Sequence, residues 1–203
     1  MQSRTVLFGG TFDPVHNAHL EIARAAAGRF GLRRVLLIPA ANPPHKSRGA
    51  HASYEQRVRM LELACGDDAV LEVSRVEQPS AAQPGKRSYS IHTIEKLLAA
   101  GFSELSFLIG ADAFAEITTW HRWHDVVRLV EFIVVTRPGS VYEIPEGAVV
   151  HELSGFEMPV SSSQIRQLLA EGREDVPVPP VVMRYIRDHG LYRTAYSLNA
   201  LQS

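Results

Sequence analysis

The sequence predicts an α/β fold, a doubly wound parallel sheet flanked by helices in three layers, α/β/α. Three observations carry that expectation. Of six short β-rich runs, several are apolar at nearly every position rather than alternating, the pattern of strands covered on both faces. Helix-like runs separate most of them, which implies right-handed crossovers. Two polar, proline-rich loops, 39–52 and 77–88, each follow a strand, where such sheets bind ligands.

In chain order, Thr5–Phe8 is the first expected strand, closed by Gly9 and Gly10. Leu20–Phe30 is Ala-rich, and Leu20, Ala23, Ala27 and Phe30 share a helical face. Val35–Ile38 is the second strand. Ser53 followed by Gln56 reads as a capping box that opens a helix over Tyr54–Ala64. Val70–Val73 is the third strand, and Ile91–Ala99, after Ser90 and before Gly101, is a helix. Leu105–Ile109 is the fourth strand, with a helix beginning near Ala111. Phe132–Val135 and Val149–Leu153 complete the set. Ser161 with Gln164 is a second capping box, opening a helix that stops at Gly172, and Pro180 suits the first turn of a last helix to Asp188. The pattern describes one domain over residues 1–192 and a patternless tail, 193–203.

Composition narrows the function classes. Of 203 residues, 45% are hydrophobic, enough for a full core. The formal net charge of −1 argues against a nucleic-acid face, yet is compatible with a local basic pocket for a small anion. Cys65 is the only cysteine, so no internal disulfide forms, which fits a reducing compartment. There is no signal-like N-terminus and no apolar stretch of bilayer length. The expectation is a cytoplasmic protein with neither membrane nor nucleic acid as partner; a homo-oligomer is left open.

The stretch "TVLFGGTFDPVHNAHL" concentrates the chemistry. Glycines after a strand permit positive φ and close approach to the backbone. A helix starting near 14–16 aims backbone N–H groups and the positive dipole end at the same crevice, a ready anion site. His16 and His19 stand one turn apart on that helix, within reach of one bound group; a solvated cap is the plainer alternative. The spacing also raises zinc, but one helix supplies two ligands and no Cys or carboxylate cluster completes a set, so no metal ligand is assigned. "GGTFDP" is neither G-x-G-x-x-G nor a P-loop. "SSSQIR" (161–166) opens a second helix with hydroxyls, N–H groups and Arg166, whose guanidinium suits phosphate oxygens. Two such helix starts favour a polyphosphate held between them.

These residues carry a resemblance. "GGTFDPVHNAH" resembles the (H/T)-x-G-H segment of the nucleotidyltransferase superfamily, and "SSSQIR" its I-S-S-T-x-I-R segment. "NPPHK", "RSYS", "IGADA", "WHRW" and "TRPG" follow the order of the bacterial nicotinate-mononucleotide adenylyltransferases, from about Thr5 to Tyr192. The resemblance implies adenylyl transfer from ATP, accompanied by Mg2+, to nicotinate mononucleotide, giving deamido-NAD and pyrophosphate. It implies that His16, His19, Lys46 and Arg166 contact and neutralise the phosphates, and that Gly9, Gly10, Thr11 and Phe12 form a backbone cradle for ATP. Ser162 and Ser163 hold the adenylate end. Ser90, Asp112, Trp120, His121 and Arg137 bind the mononucleotide, Asp112 through a ribose and Trp120 through a flat face to the pyridine ring. Bland readings stand beside these: Lys46 as a solvated loop lysine, Asp112 as a helix cap, Trp123 as a packing anchor.

The chain departs from the family at Ala18 (Gly), Ser163 (Thr), His92 (often Asp) and His121 (often Tyr). A sister nucleotidyltransferase is the nearest rival. A phosphopantetheine adenylyltransferase is shorter and lacks "WHRW" and "TRPG"; a nicotinamide-specific enzyme differs only at the ring. A non-catalytic nucleotide sensor has no need of His16, His19, Lys46 and Arg166 together.

Overall fold

A computed structural model describes residues 4–42, 50–79, 87–156 and 160–193. Among the described residues thirteen regular elements run in the order β1 (Thr5–Gly10), α1 (Asn17–Phe30), β2 (Arg34–Pro39), α2 (Tyr54–Cys65), β3 (Leu71–Val73), α3 (Ser90–Ala99), β4 (Leu105–Gly110), α4 (Ala111–Ala115), α5 (Trp123–Leu129), β5 (Glu131–Val135), β6 (Val150–Leu153), α6 (Ser162–Ala170) and α7 (Pro180–Asp188). A single 3-10 turn, Ile117–Thr119, joins α4 to α5.

The six strands form one sheet, ordered β3-β2-β1-β4-β5-β6, and every pairing is parallel. Alternate residues of a strand serve opposite faces. Val35 and Leu37 of β2 join the layer under α1, α2, α6 and α7, whereas Leu36 and Ile38 join the layer under α3, α4 and α5. Both faces are therefore dry, which is why these strands read as unbroken apolar runs. The chain winds outward from β1 to β3, then returns to place β4 on the other side of β1. The crevice outside the carboxyl ends of β1 and β4 is thus a topological switch point, the expected ligand site of such sheets.

Both predicted capping boxes form. Gln56 N–H donates to Ser53 Oγ at 3.2 Å and Ser53 N–H to Gln56 Oε1 at 2.9 Å; Ser161 and Gln164 make the same exchange at 3.2 and 2.9 Å. Three differences from the sequence reading bear on the site. β1 continues through Gly9 and Gly10. α1 begins at Asn17, just after the 14–16 start read from the motif and a turn before its apolar face begins at Leu20. Between β4 and β5 lie two helices of five and seven residues, too short for periodicity to reveal their extent.

Candidate active site

The bend after β1 is not made by the glycines. Neither Gly9 nor Gly10 has positive φ; the left-handed residue is Phe12, at φ 50°, with its ring buried. A Cβ on Gly10 would lie 3.0 Å from the Phe12 ring tip, so this glycine makes room for Phe12 to fold back. Phe12 is accordingly a core side chain, so only its main chain is available to the expected backbone cradle. At Gly9 a Cβ would make an ordinary 3.5 Å contact with Phe107.

His16 precedes α1 and His19 is its third residue; their rings stack at 3.6 Å. His16 N–H donates to His19 Nδ1 at 3.3 Å. Asn17 N–H donates to Pro177 O at 2.9 Å, and His19 N–H to His16 O at 3.0 Å. Most N–H groups at this helix start are thus taken, contrary to the expectation that they face an anion. What remains is the imidazole pair. Because His19 Nδ1 accepts, its ring proton sits on Nε2 and the ring is neutral. Burial pushes His16 down to about 4, and burial followed by the charge of His16 holds His19 well below the ordinary histidine value. His16 Nδ1 is buried without a partner among the described residues.

The start of α6 complements this. Ser162 Oγ donates to Pro14 O at 2.9 Å, and Arg166 donates through Nη1 to Asp13 O at 2.7 Å and through Nη2 to Ser163 Oγ at 3.0 Å. These bonds join the two helix starts across some 150 residues of sequence. No hydrogen bond from the Ser162 or Ser163 N–H is found among the described residues, so the positive end of α6 is free to face an anion.

Two pockets open at the switch point and share Phe8 and Gly110. The first, about 370 Å³, is bordered by His16, His19, Ser161, Ser162, Asp112 and Arg137. The second, about 620 Å³, has Gly9, Gly10 and Thr11 as its floor, with Ser90, Trp120 and His121 on its wall. Trp120 stands edge-on to Phe107 at 5.7 Å, and His121 lies over Tyr89 at 4.6 Å. Trp123, like Trp120, packs against the core layer under α3–α5.

The structure therefore divides the expected residues differently. Asp112 and Arg137 form an exposed ion pair at 2.7 Å and border the pocket of His16 and His19, whereas Ser90, Trp120 and His121 border the other. Gly9, Gly10 and Thr11 belong to the Trp120 pocket. At the start of α6, Ser161 and Ser162 border the first pocket, while Arg166 braces the β1–α1 turn and bonds Ser163 Oγ. Lys46 lies outside the described residues.

Sequence reasoning missed four residues. Glu77 lines the second pocket and accepts the Thr93 hydroxyl at 2.6 Å. Arg57, fully buried, donates to Thr11 O at 2.7 Å and Ala52 O at 3.3 Å. Its position next to Val58 on the apolar stripe of α2 was the available signal. Asp13 and Tyr192 had none, because their partners are distant in sequence. Among the described residues no group of three or more His, Cys, Asp or Glu is arranged to hold a metal ion, and no helix is long and apolar enough to cross a membrane.

A cytidylyltransferase-like family model matches residues 7–168. A protein of Solibacter usitatus (strain Ellin6076) named "Probable nicotinate-nucleotide adenylyltransferase" is 57% identical over 192 residues, covering 93% of this chain and 99% of its own. A protein of the same name from Gloeobacter violaceus is 40% identical over 205 residues, covering 95% and 97%. Among solved structures, a Plasmodium falciparum nicotinic acid mononucleotide adenylyltransferase complexed with NaAD superposes with a TM-score of 0.75 at 16% identity, covering 94% of this chain and 98% of that one. At that identity the likeness is one of fold.

Proposed function

We infer the reaction from one premise: the chain belongs to the cytidylyltransferase-like family and, within it, to the nicotinate-nucleotide adenylyltransferases. It transfers the adenylyl group of ATP to nicotinate mononucleotide, giving nicotinate adenine dinucleotide and pyrophosphate, a step of NAD biosynthesis. A phosphate oxygen of the mononucleotide forms a bond to the α-phosphorus of ATP, and the bond from that phosphorus to the β-phosphate oxygen breaks.

The assignment of residues is our own. The pocket beside His16, His19 and Ser162 takes ATP; the pocket beside Gly9, Thr11, Ser90, Trp120 and His121 takes the mononucleotide. The observation that carries this is the joining of the two helix starts through Ser162 Oγ to Pro14 O and Arg166 to Asp13 O, at 2.9 and 2.7 Å. It sets the neutral imidazoles and the open N–H groups of α6 around one space. His19 then donates from Nε2 to the reacting phosphate, as a preorganised dipole rather than a cation. Ser162 and Ser163 N–H groups receive the leaving pyrophosphate, and Arg166 holds their helix start against the turn. Asp112 accepts from a ribose hydroxyl on the ATP side, with Arg137 orienting its carboxylate. Trp120 offers a ring face to the pyridine. Lys46 reaches a phosphate, a role resting on its sequence motif.

Magnesium enters as part of the substrate. Among the described residues the first pocket presents imidazoles, hydroxyls and N–H groups, and one carboxylate, Asp112, which is already paired with Arg137. That donor set suits a triphosphate that brings its own Mg2+ better than a resident ion held by carboxylates.

Incubation with ATP, magnesium and nicotinate mononucleotide should release pyrophosphate in step with dinucleotide. Calorimetric titration should show tighter binding of nicotinate than of nicotinamide mononucleotide. Absence of pyrophosphate with either mononucleotide refutes the reaction; equal affinities refute the ring preference alone.

A further inference from the structure

Asp13 is fully buried, and the chemistry above makes no use of its carboxylate. Its Oδ2 accepts His51 N–H at 2.7 Å; its Oδ1 accepts Ala52 N–H at 3.1 Å and the Tyr192 hydroxyl at 2.8 Å. Tyr192 lies just after α7, 179 residues along the chain. The main chain around Asp13 is held as tightly. Thr11 O takes a bond from Arg57, Asp13 O one from Arg166, and Pro14 O one from Ser162, all between 2.7 and 2.9 Å. The turn that delivers His16 to the ATP pocket is thus gripped from α2, from α6 and from the segment after α7.

Backbone strain sits at the same place. Among the described residues four non-glycine residues have positive φ, and two of them, Phe12 at 50° and Tyr192 at 62°, belong to this arrangement. Left-handed backbone is uncommon for bulky side chains and persists where the surroundings over-determine it, often beside a working site.

We propose that Tyr192 is a positioning residue for adenylyl transfer, acting through the Asp13 carboxylate to set the β1–α1 turn, and with it His16, against the start of α6. The proposal rests on the function inferred above. The hydroxyl suits the task. Burial and the adjoining carboxylate hold the phenol far above its ordinary value, so it remains a donor throughout the working pH range. Losing it leaves a buried carboxylate with one donor fewer on the Oδ1 side. The turn then has freedom to shift, and misplacement of a reacting group by a fraction of an ångström appears in kcat rather than in the affinity of the other substrate.

The test uses the full chain as wild type, Tyr192→Phe, Asp13→Asn and the double variant, assayed for pyrophosphate release from ATP and nicotinate mononucleotide. Wild-type turnover must be present first; its absence counts against the inferred reaction, not against Tyr192. Tyr192→Phe should lower kcat by about 10-fold while KM for the mononucleotide stays within about twofold. The double variant should be no slower than Asp13→Asn alone, because the hydroxyl acts only through that carboxylate. Unchanged kcat in folded Tyr192→Phe, or losses that multiply in the double variant, overturns the proposal. Should Tyr192→Phe not fold, the same split is read on Asp13→Asn, where unchanged kcat overturns it equally.

Discussion

Acidification should destabilise this fold through His16, by an amount that can be worked out. His16 is 5% exposed, and burial lowers its pKa from 6.5 to about 4. Between those values the unfolded chain binds a proton that the folded chain refuses. Stability therefore is complete above pH 6.5, falls as the pH drops through 6.5, and stops falling below about 4. At 1.36 kcal/mol per unit, moving from pH 7 to pH 5 costs roughly 2 kcal/mol from this ring alone. In a domain of this size that corresponds to a fall in Tm of roughly 4–8 °C. The assay is calorimetry at the two pH values on wild type and His16→Gln. Carboxylate titration affects both chains alike, so the variant's fall should be smaller by about the amount stated. An identical fall in the two chains would refute the burial argument for His16.

Three further outcomes are expected. His19→Ala removes the Nε2 donor and should lower kcat by about 100-fold or more, with a modest rise in KM for ATP, measured by pyrophosphate release; a surviving rate excludes the ring from the reaction. Trp120→Ala should raise KM for the mononucleotide by roughly 10-fold with little change for ATP, and an unchanged value places the pyridine elsewhere. Gly10→Ala sets a methyl 3.0 Å from the buried Phe12 ring and should cost about 1–3 kcal/mol, lowering Tm by several degrees, whereas Gly9→Ala, at 3.5 Å from Phe107, should leave Tm nearly unaltered. Equal melting temperatures would remove the packing reason for Gly10.

The sheet was legible because its signal is local. Leu36 and Leu37 face opposite layers, so β2 is apolar at every interior position and stands out in the sequence. Capping boxes are equally local, and the Ser53 and Ser161 pairs were readable from residues three apart. The two helix starts were identified, but the use of the N–H groups at the start of α1 was not. Whether Asn17 donates to a ligand or to Pro177 depends on a contact across 160 residues. Gly10 misled for a related reason: its missing Cβ serves Phe12, a neighbour brought back by a left-handed residue that bulky aromatic side chains rarely adopt. That Asp112 and Arg137 border the histidine pocket and not the Trp120 pocket was not legible, since α4 and the β5 loop reach the histidine side only through the strand order β1-β4-β5. Arg57, Asp13 and Tyr192 lay beyond sequence reasoning because a buried polar network is defined by partners from separate elements.

The claim on which the account turns is that both helix starts face one triphosphate. Magnetic resonance of the labelled chain, titrated with magnesium and a non-hydrolysable ATP analogue, tests it directly. The backbone amides of Ser162 and Ser163 and the ring protons of His16 and His19 should shift together along one saturation curve. If the α6 amides stay unmoved while the imidazoles respond, or if the two groups saturate at different concentrations, the helix starts do not share a ligand and the assignment is wrong.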